Sequence, residues 1–411
     1  MRGHAPAPAI ATADRGGKAR RPTVYLDHLA STPCDPEAAA LMHRLAVEEF
    51  ANPSSSHTAG QRAAKWVERA REQVAAAIDA LPEEIVFTSG ATESNNLAIL
   101  GVATAARDAG RPRRRLVTLG IEHPSVLEPM AELGRRGFEV EFVPVHRDGR
   151  VVLEALEVAL DGALLLSIQA ANNEIGTLQP LREASRMAAE RGVLVHSDAA
   201  QILGKAPFSV EELWLDFASL SAHKCYGPKG VGALWIRGGV AGAPIAPLMF
   251  GGGHEAALRP GTYNAPAVAA FGLAAETGVA RLLKDAERVA RLRDRLERLL
   301  AEQLPGLRLN GAIDHRLPGA TSLTFPSVDA DALVANLREF DLSTASACRA
   351  GTPEPSHVLR AVGLSRKRAY STLRIGLGRG TTDEAIADVC RGISRAVGRL
   401  EATHSRPLRS T

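Results

Sequence analysis

The stretch "EIVFTSGATESNNLAILGVATAARDAG" (84–110) decides the fold class. Its opening part, 84–90, is rich in β-branched and aromatic residues and ends at Gly90, which is typical of a buried strand. The part that follows, 91–110, is amphipathic and predicts a helix. A strand that leads directly into a helix is the unit from which parallel sheets with crossover helices are built.

The same alternation continues from Thr23 to residue 237. Six further runs are strand candidates: "RLVTLG" (115–120), "FEVEFVPV" (138–145), "ALLLSIQAA" (163–171), "VLVHSDAA" (193–200), "LDFASLSAH" (215–223) and "GVGALWIR" (230–237). Together with 84–90 they make about seven strands. The pattern predicts an α/β fold with a mostly parallel seven-stranded sheet.

A different pattern begins near residue 265. Apolar residues recur three and four apart in "VARLLKDAERVARLRDRLERLLAEQL" (279–304), which predicts a long helix that we interpret as a bridge between domains. Strands and helices then mix, as in a smaller α+β domain. The expected division is a flexible tail at 1–22, a large domain at 34–275 and a small domain formed by 23–33 and 276–411.

Composition limits the classes of function. Of the 411 residues, 45% are hydrophobic and 23% charged, enough for two or three domains with a substantial core. The net charge of +3 is too balanced to indicate a nucleic-acid partner. The first 22 residues lack the apolar core of a secretory signal, and we see no segment of transmembrane length. We expect no membrane association, and an organellar transit peptide is the minor alternative to a flexible tail.

The cysteines indicate a reducing compartment. Four of them are scattered along the chain without a CxxC pair: Cys34, Cys225, Cys348 and Cys390. Neither a disulfide framework nor a metal site is expected from such spacing. We therefore predict a cytoplasmic protein.

The junction "TSGATESNN" (88–96) combines the end of a strand with the start of a helix. Free backbone N–H groups and the positive end of the helix dipole make such a turn suitable for a phosphate group, and the hydroxyl of Thr92 adds a donor. An ordinary turn in which Thr92 caps the helix is the competing interpretation.

Two further strand ends carry reactive side chains. Asp198 in "HSDAAQ" (196–201) and Lys224 in "SAHKCYGPKG" (221–230) should lie along one edge of the sheet, where open α/β sheets bind ligands. Taken singly, a surface aspartate and a solvated lysine are the common explanations. A phosphate site, a carboxylate and an imine-forming lysine together are what pyridoxal phosphate requires.

The order of the motifs then indicates a family. The chain resembles the class V aminotransferases of pyridoxal-phosphate fold type I, and among them the cysteine desulfurases of the iron–sulfur cluster and nitrogen-fixation type. The resemblance extends from about residue 23 to 380. It is carried by "YLDHLASTPCDP", "NPSSSH", "TSGATESNN", "EH", "NNEIGTLQP", "HSDAAQ", "SAHKCYGPKGVGALW", "GGGHE", "GTYNAP", "SAC", "EPSHVL" and "LRIGLGR".

The resemblance implies a role for each matching residue. Lys224 would carry the cofactor through an imine and move the substrate's α-proton, Asp198 would bond the pyridinium nitrogen, and His123 would stack on the ring and assist proton transfer. Without its motif, His123 would be interpreted as a hydrogen-bonded histidine at a strand end. The remaining implied residues are the phosphate ligands Ala91, Thr92, Ser221 and His223; the ring or substrate contacts Asn173 and Gln201; Thr262, which would reach the other subunit's phosphate in a homodimer; and Arg374, or alternatively Arg379, for the substrate carboxylate.

Cys348 in "LSTASACRAGTPEPSHVL" (342–359) is the implied sulfur acceptor. Its surroundings of small, polar, Gly and Pro residues predict a mobile loop that ends at a helix from about Pro355. A buried inert cysteine is the competing interpretation. The length of the stretch between Cys348 and "EPSHVL" resembles that of the cysteine desulfurases with a long loop. The implied reaction converts L-cysteine to L-alanine and leaves a persulfide on Cys348 for a sulfur-acceptor protein. Cys225, directly after Lys224, has no such role.

Other functions remain open at this point. A selenocysteine lyase or a desulfurase dedicated to a thiolation pathway would keep the fold and cofactor, and a non-catalytic sulfur carrier is a third alternative. The chain also departs from the family pattern: His28 and Leu29 stand in unusual places in "DHLAST" (27–32), Ala222 replaces a usual Gly, and the C-terminus is short.

Overall fold

The computed structural model describes residues 23–344 and 354–404. The predicted tail at 1–22 and the predicted sulfur acceptor Cys348 lie outside these residues. The strands are β1 (Val24–Tyr25), β2 (Ile85–Thr88), β3 (Arg115–Leu119), β4 (Glu139–Val143), β5 (Ala163–Ser167), β6 (Leu194–Asp198), β7 (Phe217–Ser221), β8 (Gly232–Ile236), β9 (Arg308–Asn310), β10 (Ala320–Thr324), β11 (Phe340–Asp341), β12 (Ser343–Thr344) and β13 (Thr372–Gly376).

The helices follow the amphipathic stretches. They are α1 (Pro36–Glu48), α2 (Thr58–Ala76), α3 (Ala91–Asp108), α4 (Pro124–Arg135), α5 (Leu153–Ala159), α6 (Leu181–Ala189), α7 (Ala265–Gln303), α8 (Ala330–Ala335), α9 (His357–Ala361), α10 (Arg366–Tyr370) and α11 (Asp383–His404). A short 3₁₀ helix, Ala222–Lys224, follows β7.

The seven predicted strands form one sheet in the order β2-β8-β7-β6-β5-β3-β4. Strand β8 is antiparallel to both β2 and β7, and the remaining pairs are parallel. The predicted α/β class and mostly parallel sheet are therefore confirmed. The return of β8 places Gly232 beside Ser221, at the edge where β6 and β7 also end.

Both faces of this sheet are covered, as parallel strands require. Adjacent residues of one strand belong to opposite hydrophobic clusters: Leu116 packs with α3 and α4, and Val117 packs with α2 and α5. Leu165 and Leu166 of β5 divide in the same way. The period of two therefore builds a core on each side of the sheet.

The C-terminal part forms a separate core. Strands β12-β13-β10-β9 make an antiparallel sheet, and α7, α8 and α11 pack on it through a third hydrophobic cluster. Leu26, from the start of the described chain, belongs to this cluster, and β1 pairs in parallel with β11. The 39 residues of α7 contact both the large sheet's helices and α11.

Helix α7 is also long and apolar enough, by length and composition, to cross a membrane. The sequence expectation that no segment reaches this length is therefore wrong. Half of the most apolar stretch is buried inside the protein, and a core helix of a soluble protein meets the same criterion. The helix alone is weak evidence for a membrane.

Candidate active site

The carboxyl ends of β6 and β7 bring the predicted site residues to one edge of the sheet. Asp198 ends β6, and Lys224 ends the 3₁₀ turn that follows β7. The two strands pair directly, with Asp198 opposite Ser219. The expectation that successive strand ends share one edge is met.

The first turn of α3 lies against this edge. Gly90 precedes the helix with a φ of 151°, in a region that favours glycine, and its side-chain-free backbone packs on Gly232 of β8. A Cβ on Gly232 would lie 2.6 Å from the Gly90 Cα, so the close approach requires glycine. Gly90 has no side chain that could cap the helix, so it leaves the backbone N–H groups of Ala91 and Thr92 without a side-chain acceptor. These N–H groups form a donor set that fits a phosphate.

Asp198 is a buried carboxylate, 8% exposed. Its Oδ1 accepts the backbone N–H of Ala200 at 3.0 Å, and its Oδ2 accepts Nδ2 of Asn95 at 2.8 Å. A carboxylate held in this way fits the protonated nitrogen of a pyridine ring, since a charge-assisted bond is strong in a buried site.

His123 begins α4 as its N-cap. Nδ1 accepts the backbone N–H of Ser125 at 3.1 Å and lies 2.8 Å from Ser125 Oγ. Burial lowers the pKa of His123 below its usual value; Asp198 opposes this shift and Lys224 adds to it. The imidazole is therefore within electrostatic reach of both predicted cofactor residues and is neutral near pH 7.

Lys224 Nζ donates to the backbone oxygen of Leu29 at 2.7 Å. The amide of Gln201 donates to the same oxygen at 2.8 Å. The unusual side chains of "DHLAST" do not make these contacts, because a main-chain oxygen accepts both. Leu29 packs with Ala171 and Leu317, and His28 is only 4% exposed. Both side chains that depart from the family pattern are therefore buried.

His223 and Cys225 flank Lys224 and differ sharply in surroundings. His223 Nδ1 lies 3.1 Å from Ser31 Oγ, and burial, with nearby lysines, lowers the pKa of His223 to about 4. Cys225 is 1% exposed and its Sγ contacts the backbone oxygen of Ala222 at 3.2 Å. Burial raises the pKa of the Cys225 thiol to about 12, so it stays protonated and a poor nucleophile.

Arg374 and Arg379 have different contacts in the structure. Arg374 is 1% exposed; Nη1 donates to the backbone oxygen of Asn173 at 3.2 Å and Nη2 to Asp27 at 2.8 Å. Its Nε finds no acceptor among the described residues. Arg379 instead bonds Asp285 at 2.8 Å and stacks on Tyr226. Among the contacts of the described residues, Arg374 and not Arg379 contacts a residue predicted to bind substrate.

One predicted position, Thr262, lies apart from these contacts, and Cys348 lies outside the described residues. Thr262 is exposed and lines a cavity of about 130 Å³ together with Thr88 and Gly230. The described residues on either side of the Cys348 segment reach the site: Ser343 donates to Asp27 at 2.6 Å, and Ser356 donates to Glu174. The roles implied for Thr262 and Cys348 stay predictions.

Sequence reasoning missed two buried residues. Asn95 and Ser125 connect Asp198 to His123 by hydrogen bonds of 2.8 Å each. Asn95 stands in the quoted motif "TSGATESNN" and Ser125 two residues after the histidine of "EH", but only their polar character within an apolar helical face could have drawn attention to them. In the described part of the chain, no group of three or more His, Cys, Asp or Glu could hold a metal ion.

Comparisons relate the chain to known proteins. The profile of the family "Aminotransferase class-V" matches residues 24–389. The cysteine desulfurase IscS of Anaeromyxobacter sp. (strain Fw109-5) is 45% identical over 379 residues, 92% of this chain and 93% of that protein. A solved NifS-like protein is 38% identical with a TM-score of 0.85, over 92% of this chain and 100% of that one. SspA, solved in complex with cysteine, is 36% identical with a TM-score of 0.77, over 87% and 99% of the two chains.

These matches include the large sheet, the C-terminal sheet and every described element of the site. The predicted fold type I and the predicted cofactor are confirmed, because the matching family and the structural neighbours depend on pyridoxal phosphate. The chain belongs to the class V aminotransferase family of pyridoxal-phosphate enzymes.

Proposed function

We propose that the protein is a cysteine desulfurase that converts L-cysteine to L-alanine and forms a persulfide on Cys348. One observation carries the proposal: Asp198, His123 and Lys224 meet at one sheet edge, where Arg374 contacts Asn173. The relative IscS is named a cysteine desulfurase, and SspA was solved in complex with cysteine.

The residues of the chain have separate tasks in this reaction. Bound pyridoxal phosphate would act as the electron sink. Arg374 binds the substrate carboxylate, and Lys224 moves the α-proton. The thiolate of Cys348 attacks the substrate sulfur; a sulfur–sulfur bond forms, the Cβ–S bond breaks, and its electron pair stays with carbon, which takes up a proton. Cysteine and one protein thiol thus give alanine and one persulfide.

The persulfide must then leave the enzyme. We propose that a sulfur-acceptor protein, a cluster scaffold or a carrier, takes the sulfur, and that the enzyme works as a homodimer to which Thr262 contributes across the subunits. A cytoplasmic location is supported by three described cysteines that form no disulfide, Cys34, Cys225 and Cys390.

Product formation from L-cysteine tests the function. Purified protein loaded with pyridoxal phosphate should release alanine, and mass spectrometry should locate the persulfide on Cys348. Lys224→Ala should abolish alanine formation, and Cys348→Ala should abolish it on cysteine. The matched control is Cys225→Ala, which should keep both alanine formation and the persulfide because that thiol is buried and protonated.

Two results would contradict the proposal. Wild-type protein that binds the cofactor but forms no alanine would refute the activity, and a persulfide on Cys225 would refute the assignment of the acceptor. Turnover of L-selenocysteine much faster than that of L-cysteine would favour a selenocysteine lyase.

A further inference from the structure

Two polar side chains, Asn95 and Ser125, connect the carboxylate of Asp198 to the imidazole of His123. Asn95 Nδ2 donates to Asp198 Oδ2 at 2.8 Å and to Ser125 Oγ at 2.8 Å. Ser125 Oγ lies 2.8 Å from His123 Nδ1. Asn95 is fully buried and Ser125 is 8% exposed, so water does not compete for these bonds.

The carboxylate of Asp198 determines which group donates in each hydrogen bond between Asp198 and His123. An ionised carboxylate only accepts hydrogen bonds, so the amide of Asn95 must turn its NH₂ group toward Asp198. The same NH₂ group donates to Ser125 Oγ, which leaves the hydroxyl proton of Ser125 for His123 Nδ1. The unpartnered Oδ1 of Asn95 agrees with an orientation that its donor bonds determine.

The backbone adds a second donor at the same atom. The N–H of Ser125 points to His123 Nδ1 at 3.1 Å, and a backbone N–H can only donate. Nδ1 therefore carries the lone pair, and in the neutral ring the proton is on Nε2. Nε2 makes no hydrogen bond to any residue within 23–344 or 354–404.

We propose that Asn95 and Ser125 are positioning residues that hold His123 in its Nε2–H tautomer, so that its donor nitrogen is the one available to cofactor or substrate. Only the use of that nitrogen rests on the proposed function. Helix capping alone does not explain the arrangement, since Asn95 comes from α3 and has no part in the first turn of α4.

Nitrogen NMR of the full-length protein tests the tautomer directly, before and after loading with pyridoxal phosphate. In the wild type, His123 should show an unprotonated Nδ1 and a protonated Nε2. A protonated Nδ1 in the neutral wild-type ring would overturn the proposal without any variant.

Two variants then test the positioning residues. Ser125→Ala and Asn95→Ala should raise the Nδ1–H fraction about three- to tenfold, the range that one net hydrogen bond supplies. Ser125→Thr keeps the hydroxyl and should restore the wild-type ratio. The matched control is Asn96→Ala: this neighbouring amide donates to the Thr92 backbone oxygen on the exposed face and should leave the ratio unchanged.

A titration gives a second readout. Loss of a donor to Nδ1 removes an interaction that favours the neutral ring, so the pKa of His123 should rise in Ser125→Ala. Asp198, Lys224 and the buried carboxyl of Glu122 also face this region, and burial raises the pKa of Glu122 well above its usual value. These three groups are the same in wild type and variant.

The outcomes separate the two proposals. A tautomer shift in a protein that forms no alanine would support the positioning and refute the desulfurase activity. An active desulfurase in which Ser125→Ala and Asn95→Ala change neither the ratio nor the pKa would refute the positioning alone.

Discussion

Burial decides which single residues carry charge in this site. Lys205 donates to Gln201 Oε1 at 3.0 Å, and burial, together with the charge of Lys224, lowers the pKa of Lys205 from 10.5 to about 7. Burial likewise lowers the pKa of the neighbouring His28 to about 4. Cationic forms are thus disfavoured around Gln201, a residue predicted to contact the cofactor.

The pKa of Lys205 predicts a pH-dependent stability. Between pH 7 and 10.5 the unfolded lysine holds a proton that the folded one has released, so stability should rise with pH; below pH 7 the cost of the buried charge is fully present. Lys205→Met should reduce the slope by up to about 1.4 kcal/mol per pH unit. Urea unfolding at several pH values measures it. The exposed Lys229→Met is the control, and an unchanged slope in Lys205→Met would contradict the prediction.

At the scale of elements, strands were easier to predict than their arrangement. The run at 84–90 predicts a strand because it is rich in β-branched and aromatic residues, and the observed strand Ile85–Thr88, which is buried on both faces, lies within it. The antiparallel direction of β8 could not be predicted, since the turn between Ser221 and Gly232 sets it. Asn95 escaped notice because its partners are 30 and 103 residues away in the chain.

The segment that carries "DHLAST" packs tightly against the loop after β13. A Cβ on Gly378 would lie 2.3 Å from Nδ1 of the His28 ring. The ring is buried and cannot easily move, so the presence of His28 requires a glycine at position 378.

Substitution of that glycine tests the contact. Gly378→Ala should lower the free energy of unfolding by about 1–3 kcal/mol through overpacking. In a His28→Ala background the penalty should disappear, which a double-mutant cycle of urea unfolding measures. Gly380→Ala, in the same loop with no atom within 4 Å of its Cβ, should change stability by less than about 0.5 kcal/mol. Equal penalties in both backgrounds would refute the contact.

At the scale of the whole molecule, α7 connects the helices of the large sheet with the C-terminal core. Arg288 of α7 donates to the backbone oxygens of Arg379 and Thr381 at 2.8 Å each, and Asp285 bonds the Arg379 side chain. The helix thereby holds the loop that follows β13, close to Arg374. The division into a large domain at 34–275 and a small domain at 23–33 and 276–411 stays a prediction.

An exposed apolar patch on the surface supports the proposed homodimer. Phe250 is 87% exposed, and Met249 and Leu248 beside it are 44% and 38% exposed. Such a patch is unfavourable in water and is typical of an interface. It precedes Thr262 by twelve residues, and Thr262 is the residue predicted to reach the other subunit's phosphate.

Disruption of this patch should therefore affect assembly and cofactor binding together. Phe250→Asp should weaken dimerisation at least about thirtyfold, as loss of a buried aromatic contact does, and the monomer should bind pyridoxal phosphate more weakly because it lacks Thr262 of the other subunit. Light scattering and cofactor titration measure the two effects. Phe142→Asp is the matched control, since Phe142 is 52% exposed on the edge strand β4 and should leave the dimer intact. A wild-type protein that is monomeric at micromolar concentration would contradict the prediction, because Phe250 would then not lie in a dimer interface.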